Sequence, residues 1–295
     1  MPAMADTLPG PNSHVYFSQQ LRLHYVDWGN EDKPALLLLH GGRDHCRNWD
    51  WVAQAFRHDY HVVAPDLRGH GDSQWVLGSG YAMIDYVYAI AQLVDQKNLE
   101  PVTIIGHSLG GSISLQFAGV FPDRVNKVIA IEGLGPRRHE IDEMEKPAPE
   151  RMRRWIDQIR GFAGRLPRRY ESLEEAIRRM HEANAHLSDE QARHLTIHGT
   201  NQNEDGSYSW KFDNYVRSHS PYRFNDDEAH DLWSNITAPT LLLWGEESWS
   251  GNPSTDNRAA PFQNVQVESV PNAGHWVHHD QLDHFLRLTS AFLGE

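Results

Sequence analysis

The chain is short of cysteine, of positive charge and of long apolar runs, and each shortage excludes a class of protein. Its single cysteine, Cys46, cannot form an internal disulfide, which favours a reducing compartment, so we expect a cytoplasmic protein. The 27 Lys and Arg stand against 40 Asp and Glu, and a formal net charge of −13 argues against a nucleic-acid partner. The apolar runs are shorter than the roughly 20 residues of a membrane helix. The first 14 residues also lack the basic start and apolar core of a signal peptide.

The 295 residues are enough for one large α/β domain with an inserted cap. Short apolar runs alternate with helical segments, which is typical of a mostly parallel central sheet flanked by helices. The predicted strands lie within 21–29, 35–42, 61–66, 102–111, 127–133, 240–245 and 265–276, and the clearest helices are 82–97 and 282–293.

The strand pattern stops between Leu134 and about Trp233, where the apolar spacing becomes helical. Two stretches, SLEE at 172–175 and SDEQ at 188–191, fit the capping box that begins a helix. We therefore predict a helical cap over 134–233. It would be inserted between the two parts of an α/β core, 1–133 and 234–295.

The stretch GHSLGG, 106–111, follows an apolar strand and precedes a helix, which is the context that a G-x-S-x-G nucleophile turn requires. Its glycines allow a tight, strained turn that exposes the hydroxyl of Ser108 at the carboxyl end of the sheet. The backbone N–H of Leu109 begins the next helix and can point at a developing oxyanion.

Four motifs in this order resemble the α/β-hydrolase superfamily: HGG at 40–42, DLRGHGDS at 66–73, GHSLGG and GHWVHHD at 274–280. The resemblance implies a serine hydrolase, because haloalkane dehalogenases and epoxide hydrolases, which are similar in fold, carry Asp where this chain has Ser108. It also implies that Gly42 supplies the second oxyanion N–H beside Leu109. His275 stands where the family has its catalytic base.

The carboxylate that should orient His275 is missing from its usual place in the family, which in this chain is Ser248, three residues past Gly245. Glu132, at the end of the preceding core strand, occupies an alternative acid position known in the fold. A buried charge at a strand end is costly unless it is paired, and this supports Glu132 as the triad acid. The alternatives are Glu246 and Glu247, in the acidic turn after Gly245, and Asp256.

The expected chemistry is hydrolysis of a small carboxylic ester, or a related lactone, amide or carbon–carbon bond, with no cofactor and no metal. Arg43 and Trp249 are candidate substrate contacts, and His278 and His279 are expected to make packing or cap contacts. A ligand-binding or signalling protein with a slow triad is one alternative, and a cofactor-free lyase or oxygenase is another. The partner is expected to be a small-molecule substrate, and the oligomeric state stays open.

Overall fold

The computed structural model describes residues 10–78, 80–135, 146–218, 220–222 and 226–294. A single eight-stranded sheet forms its centre. The strands are β1 (Asn12–Ser18), β2 (Leu21–Asp27), β3 (Ala35–Leu39), β4 (His61–Pro65), β5 (Val102–His107), β6 (Val125–Ile131), β10 (Thr240–Gly245) and β11 (Val265–Val270). Their order across the sheet is β1-β2-β4-β3-β5-β6-β10-β11. Strands β1 and β2 are antiparallel to their neighbours, and all the other pairs are parallel.

The strands expected from the sequence are present, and the mostly parallel sheet is confirmed. Strand β1 was missed because only two of its side chains, Tyr16 and Ser18, are buried, so it lacks the apolar run that marks the central strands. Central strands such as β5 are buried along their whole length, as strands covered on both faces must be.

The described helices are α1 (Asp50–Phe56), α2 (Met83–Lys97), α3 (Leu109–Val120), α4 (Ala148–Phe162), α5 (Leu173–Ala183), α6 (Asp189–Gly199), α7 (Asp226–Ser234), α8 (Val277–Asp280) and α9 (Leu282–Leu293). Helices α2, α3 and α7 cover one face of the sheet, where Leu37 and Leu39 of β3 are buried. Helices α1 and α9 cover the other face, which takes Leu36 and Leu38. None of the described helices is long and apolar enough to cross a membrane.

The segment between β6 and β10 carries helices α4 to α7, as the helical spacing predicted. It also holds a small antiparallel sheet of β7 (Arg169–Tyr170), β9 (Tyr208–Trp210) and β8 (Thr200–Gln202), so the expectation that strands stop at Leu134 was wrong. These strands have two or three residues each, which is too short for an alternating pattern to be recognised. The division of the chain at 134 and 233 stays a prediction, and residues 136–145 lie outside the described part.

A group of histidines is almost completely buried: His40, His70, His107, His278 and His279. Burial is the largest influence on each of them, because a low-dielectric interior penalises the charged imidazolium. It lowers the pKa of His40 and His279 to about 3 and that of His70 to about 4. It also lowers the pKa of His107 and His278 well below the usual value. All five are therefore neutral in the folded protein at neutral pH.

We predict that the free energy of unfolding falls as the pH drops from 6.5 towards 4. In the unfolded chain these histidines gain a proton near pH 6.5, whereas in the folded protein they do not. Each therefore costs about 1.4 kcal/mol of stability per pH unit. Asp44 has the opposite pH dependence and offsets the effect of one histidine. Burial raises the pKa of Asp44 to about 8, so it keeps its proton in the folded protein. Its contribution declines as the pH rises from about 4 to 8.

Urea unfolding of the wild type at pH 7.5, 6 and 5 measures this slope. The His278→Gln variant should show a shallower slope than the wild type, because one buried histidine is removed. The matched control is His58→Gln, at an exposed histidine, and should have the wild-type slope. Equal stability of the wild type at pH 7.5 and pH 5 would contradict the prediction.

Candidate active site

Ser108 stands at the sharp turn between β5 and α3. Its φ of +52° lies in the left-handed region, so the residue is strained, and its backbone N–H donates to the carbonyl oxygen of Ile131 at 2.8 Å. The turn needs glycine on both sides, because a Cβ would lie 2.4 Å from the Gly110 carbonyl oxygen at Gly106 and 2.1 Å from the Leu39 carbonyl oxygen at Gly110. The turn therefore has the nucleophile-elbow geometry, with Ser108 on the wall of a large cavity.

Glu132 follows β6 directly and is the second strained residue of the site, with a φ of +52°. Its carboxylate is completely buried, and His275 lies against it with Nδ1 2.7 Å from Oε2. Since an ionised carboxylate only accepts hydrogen bonds, the proton is on Nδ1 of His275. The Nε2 atom of the ring is then the one available to take a proton from a nucleophile.

Two further groups donate to the same carboxylate, so its burial is compensated. The backbone N–H of Gly245 donates to Oε1 at 2.9 Å, and the hydroxyl of Ser248 donates to Oε2 at 2.5 Å. Ser248 is the position at which the family usually has its acid. In this chain the residue there supplies a hydrogen-bond donor to Glu132.

The three alternative carboxylates point elsewhere and are all exposed. Glu246 accepts from the Ser269 hydroxyl, Glu247 lies 3.4 Å from His186, and Asp256 pairs with Arg258. Within the described residues, Glu132 contacts His275, whereas Glu246, Glu247 and Asp256 contact other residues.

His107 fixes the loop that carries His275, a role that the sequence reasoning missed. Its ring is 1% exposed, and its Nε2–H donates to the carbonyl oxygen of His275 at 2.9 Å. A Cβ at Gly41 would lie 2.7 Å from its Nδ1, so the HGG turn packs tightly on this ring. The sequence did hold a signal for this role. His107 lies between Gly106 and Ser108, at the end of a strand that is buried on both faces, so its side chain must be buried too.

Gly42 and Leu109, the predicted oxyanion donors, line the cavity together with Ser108. Leu109 is the first residue of α3, and an N–H in the first turn of a helix has no partner within the helix. A Cβ placed on Gly42 would meet nothing closer than the Leu109 side chain at 4.0 Å. The two backbones therefore flank the same space beside the nucleophile turn.

The cavity has a volume of about 1850 Å³. Both predicted substrate contacts are among the residues that line it. Trp249 is 53% exposed, and its ring lies 4.6 Å from that of His275. Arg43, next to Gly42, has a strained φ of +66°. Their contact with a substrate stays a prediction.

The two histidines after Trp276 make the packing and cap contacts that were expected. Nε2 of His278 lies 2.8 Å from Oδ1 of Asn48, and its ring stacks on Trp49 at 4.5 Å. The carbonyl oxygen of His279 accepts from the side chain of Gln191 on α6, at 3.1 Å. This joins the loop after His275 to the inserted segment, which is the part of the chain between β6 and β10.

Two groups of possible metal ligands occur in the described part of the chain, and both are engaged within the protein. One is His24, Cys46 and Asp66, and the other is Asp50, His194 and His198. Asp66 is 2.7 Å from His24 and also accepts backbone N–H groups, while Asp50 lies 2.6 Å from the guanidinium of Arg47. A cation in contact with Asp50 disfavours a second cation there.

The family model described as the alpha/beta hydrolase fold matches residues 34–282. The chain belongs to the α/β-hydrolase family. It is 30% identical over 270 residues to a 3-hydroxybutyrate-oligomer hydrolase of Cupriavidus necator, covering 86% of this chain and 87% of that protein. A probable serine hydrolase of Drosophila melanogaster is 31% identical over 132 residues, which are 44% of this chain and 40% of that protein.

Among solved structures, the thioesterase domain from the curacin biosynthetic pathway superposes with a TM-score of 0.82 at 22% identity. The superposition covers 95% of this chain and 99% of that domain. An identity this low supports the fold alone. The family match and the serine-hydrolase relatives place the chain among the hydrolases of this fold.

We predict that Ser248→Ala lowers the kcat for p-nitrophenyl acetate by about 10-fold or more. A hydrogen bond to a charged group contributes about 1.5–3 kcal/mol, and its loss leaves Glu132 less firmly oriented towards His275. Ser248→Thr keeps the hydroxyl and should retain most of the activity. The comparison of the two variants distinguishes the loss of the hydrogen-bond donor from a change in side-chain packing. A Ser248→Ala variant with wild-type kcat would contradict this role.

Proposed function

We propose that the protein is a serine hydrolase that cleaves a carboxylic ester through an acyl-enzyme on Ser108. His275 is the general base and acid, Glu132 is the triad acid, and the N–H groups of Gly42 and Leu109 bind the oxyanion. The observation that carries the proposal is the 2.7 Å contact between Nδ1 of His275 and the completely buried carboxylate of Glu132.

The reaction follows from where the proton on His275 is held. With Nδ1–H donating to Glu132, Nε2 takes the proton of the Ser108 hydroxyl as Oγ attacks the ester carbonyl carbon. The carbonyl oxygen becomes an oxyanion next to the two backbone N–H groups, each worth about 3–4 kcal/mol in such a site. The intermediate collapses, the C–O bond to the alcohol breaks, and Nε2–H protonates the leaving alcohol.

Water completes the cycle by the same proton transfers. Nε2 of His275 removes a proton from water as its oxygen attacks the acyl carbon, and the proton then returns to Oγ of Ser108 as the carboxylic acid leaves. Throughout, Glu132 holds the tautomer and stabilises the imidazolium. The compared relative in Cupriavidus necator is named a 3-hydroxybutyrate-oligomer hydrolase, and this name supports acyl transfer to water.

The two other candidate functions are a binding or signalling protein with a slow triad, and a lyase or oxygenase without a cofactor. The binding or signalling role was suggested by the absence of a carboxylate at Ser248, the usual position of the acid. A buried Glu132 with three hydrogen-bond donors supports a complete triad over a degenerate one. Steady turnover of an activated ester would exclude the first candidate, and release of the carboxylic acid as product would exclude the second.

We expect Glu132→Gln to lower the kcat for p-nitrophenyl acetate by about 10³–10⁴-fold, because a neutral amide cannot stabilise the imidazolium. Ser108→Ala should abolish acyl-enzyme formation, which mass spectrometry of the protein measures directly. The matched control is Glu247→Gln, which removes an exposed carboxylate near the same loop and should keep wild-type kcat.

Circular dichroism should show that all three variants remain folded. If Glu132→Gln retains wild-type kcat while Glu247→Gln loses it, the proposed acid is wrong. A wild type that acylates once and does not turn over would favour the binding or signalling role.

A further inference from the structure

Among the described residues that line the cavity at Ser108, arginines outnumber carboxylates, whereas the protein as a whole is acidic. The chain has a net charge of −13, yet the basic side chains among the described residues that line the cavity include five arginines and no lysine: Arg43, Arg168, Arg179, Arg217 and Arg258. The carboxylates in the same lining are three, and Glu132 among them is engaged with His275. An acidic protein that concentrates arginine at its cavity focuses a positive potential there.

Two of these arginines have no carboxylate partner among the described residues. The guanidinium of Arg168 lies 5.0 Å from the ring centre of Tyr170, and that of Arg217 lies 5.4 Å from the ring centre of Phe212. Stacking on an aromatic face orients a guanidinium and leaves its N–H edge free to bind an anion with two parallel hydrogen bonds. By contrast, Arg179 and Arg258 each contact a carboxylate.

The rings beneath the arginines are held in place. Tyr170 is 4% exposed, and its hydroxyl accepts a hydrogen bond from the indole N–H of Trp210 at 3.0 Å. The loop that follows Phe212 is tied to the core, because the hydroxyl of Tyr81 donates to Asp213 at 2.6 Å. The two guanidinium groups therefore rest on fixed platforms.

The segments that carry the two arginines also lie side by side. The side chain of Asn214 donates to the carbonyl oxygen of Arg165 at 3.5 Å, and the rings of Phe162 and Tyr215 are 5.8 Å apart. Both arginines therefore belong to the part of the cavity lining that the inserted segment forms, which we call the arginine-bearing wall. Ser108 belongs to the part of the lining at the sheet edge.

The size of the cavity fits a substrate that reaches from one wall to the other. Its volume of about 1850 Å³ exceeds the roughly 300–1,000 Å³ of an ordinary small-molecule pocket. Aromatic side chains, among them Tyr170, Trp210 and Phe212, line the arginine-bearing wall. Aromatic surface beside two arginines suits a molecule that has an apolar part and an anionic group.

Resting on the proposed hydrolase function, we propose that the substrate carries a carboxylate or phosphate on the part remote from the scissile carbonyl, and that Arg168 and Arg217 bind this anionic group. The chemistry of recognition is the same for both anions, and two matched substrate pairs distinguish them. One pair is the mono-p-nitrophenyl ester of adipic acid and its neutral methyl ester. The other is butyryl-coenzyme A and the neutral S-butyryl-N-acetylcysteamine.

The measurement is the ratio of kcat/KM for the anionic member of each pair to that for the neutral member. We expect the wild type to prefer at least one anionic member by about 10-fold or more, and to lose much of the preference at high salt. The ratio should fall towards one in the Arg168→Gln/Arg217→Gln double variant. The control, Arg160→Gln, changes an exposed arginine of the same segment that does not line the cavity, and should keep the wild-type ratio.

Binding of monomethyl adipate to the Ser108→Ala variant, measured by calorimetry, tests the anion site without turnover. Binding that disappears when Arg168 and Arg217 are also replaced supports the proposal even if no ester is hydrolysed, and in that case only the hydrolase function fails. Ester turnover with equal kcat/KM for both members of each pair, in wild type and double variant alike, overturns the anion site and leaves the hydrolase function standing. Butyryl-coenzyme A preferred over its neutral partner, with no preference in the adipate pair, identifies the anion as phosphate.

Discussion

A carboxylate with no exposed surface, that of Glu132, is the constraint on which the arrangement of the site depends. It is stable only because three donors reach it from distant parts of the chain: the backbone of Gly245 and the hydroxyl of Ser248, in one turn, and the ring of His275. The pairing of β6 with β10 sets this convergence, since the N–H of Glu132 itself donates to the carbonyl oxygen of Leu243 at 2.9 Å. A shift in that register would separate the acid from its donors.

The same sheet edge explains why two strained residues are tolerated. Ser108 and Glu132 both leave their strands with φ near +52°, and each is held by a backbone hydrogen bond to the neighbouring strand. His107 ties the base loop to the nucleophile turn through the carbonyl oxygen of His275. Ser108, His275 and Glu132 are thus positioned by backbone contacts among strand ends, and the long side chain of Glu132 spans the remaining gap to His275.

The role proposed for the inserted segment differs from that proposed for the sheet edge. The sheet edge holds the groups proposed to act on a carbonyl, whereas Arg168 and Arg217 add charge beside aromatic rings elsewhere in the cavity lining. In a protein with a net charge of −13, we expect these two arginines to favour anions that the rest of the surface repels. The proposed chemistry and the proposed selectivity therefore belong to separate parts of the chain.

Local pattern determined the central strands, the main helices and the nucleophile turn, because apolar periodicity and the glycines around Ser108 act over a few residues. It failed where the signal is short or exposed, at β1 and the three strands of the small sheet. Ser248 shows a further limit of sequence patterns. It stands where the family usually has its acid, and the sequence left four carboxylates as candidates for that role. Which carboxylate contacts His275 depends on strands that are far apart in the chain. Glu132 and His275 themselves are separated by 143 residues. Only the tertiary structure decides that, because side-chain reach is set by the register of packed strands and not by distance along the chain.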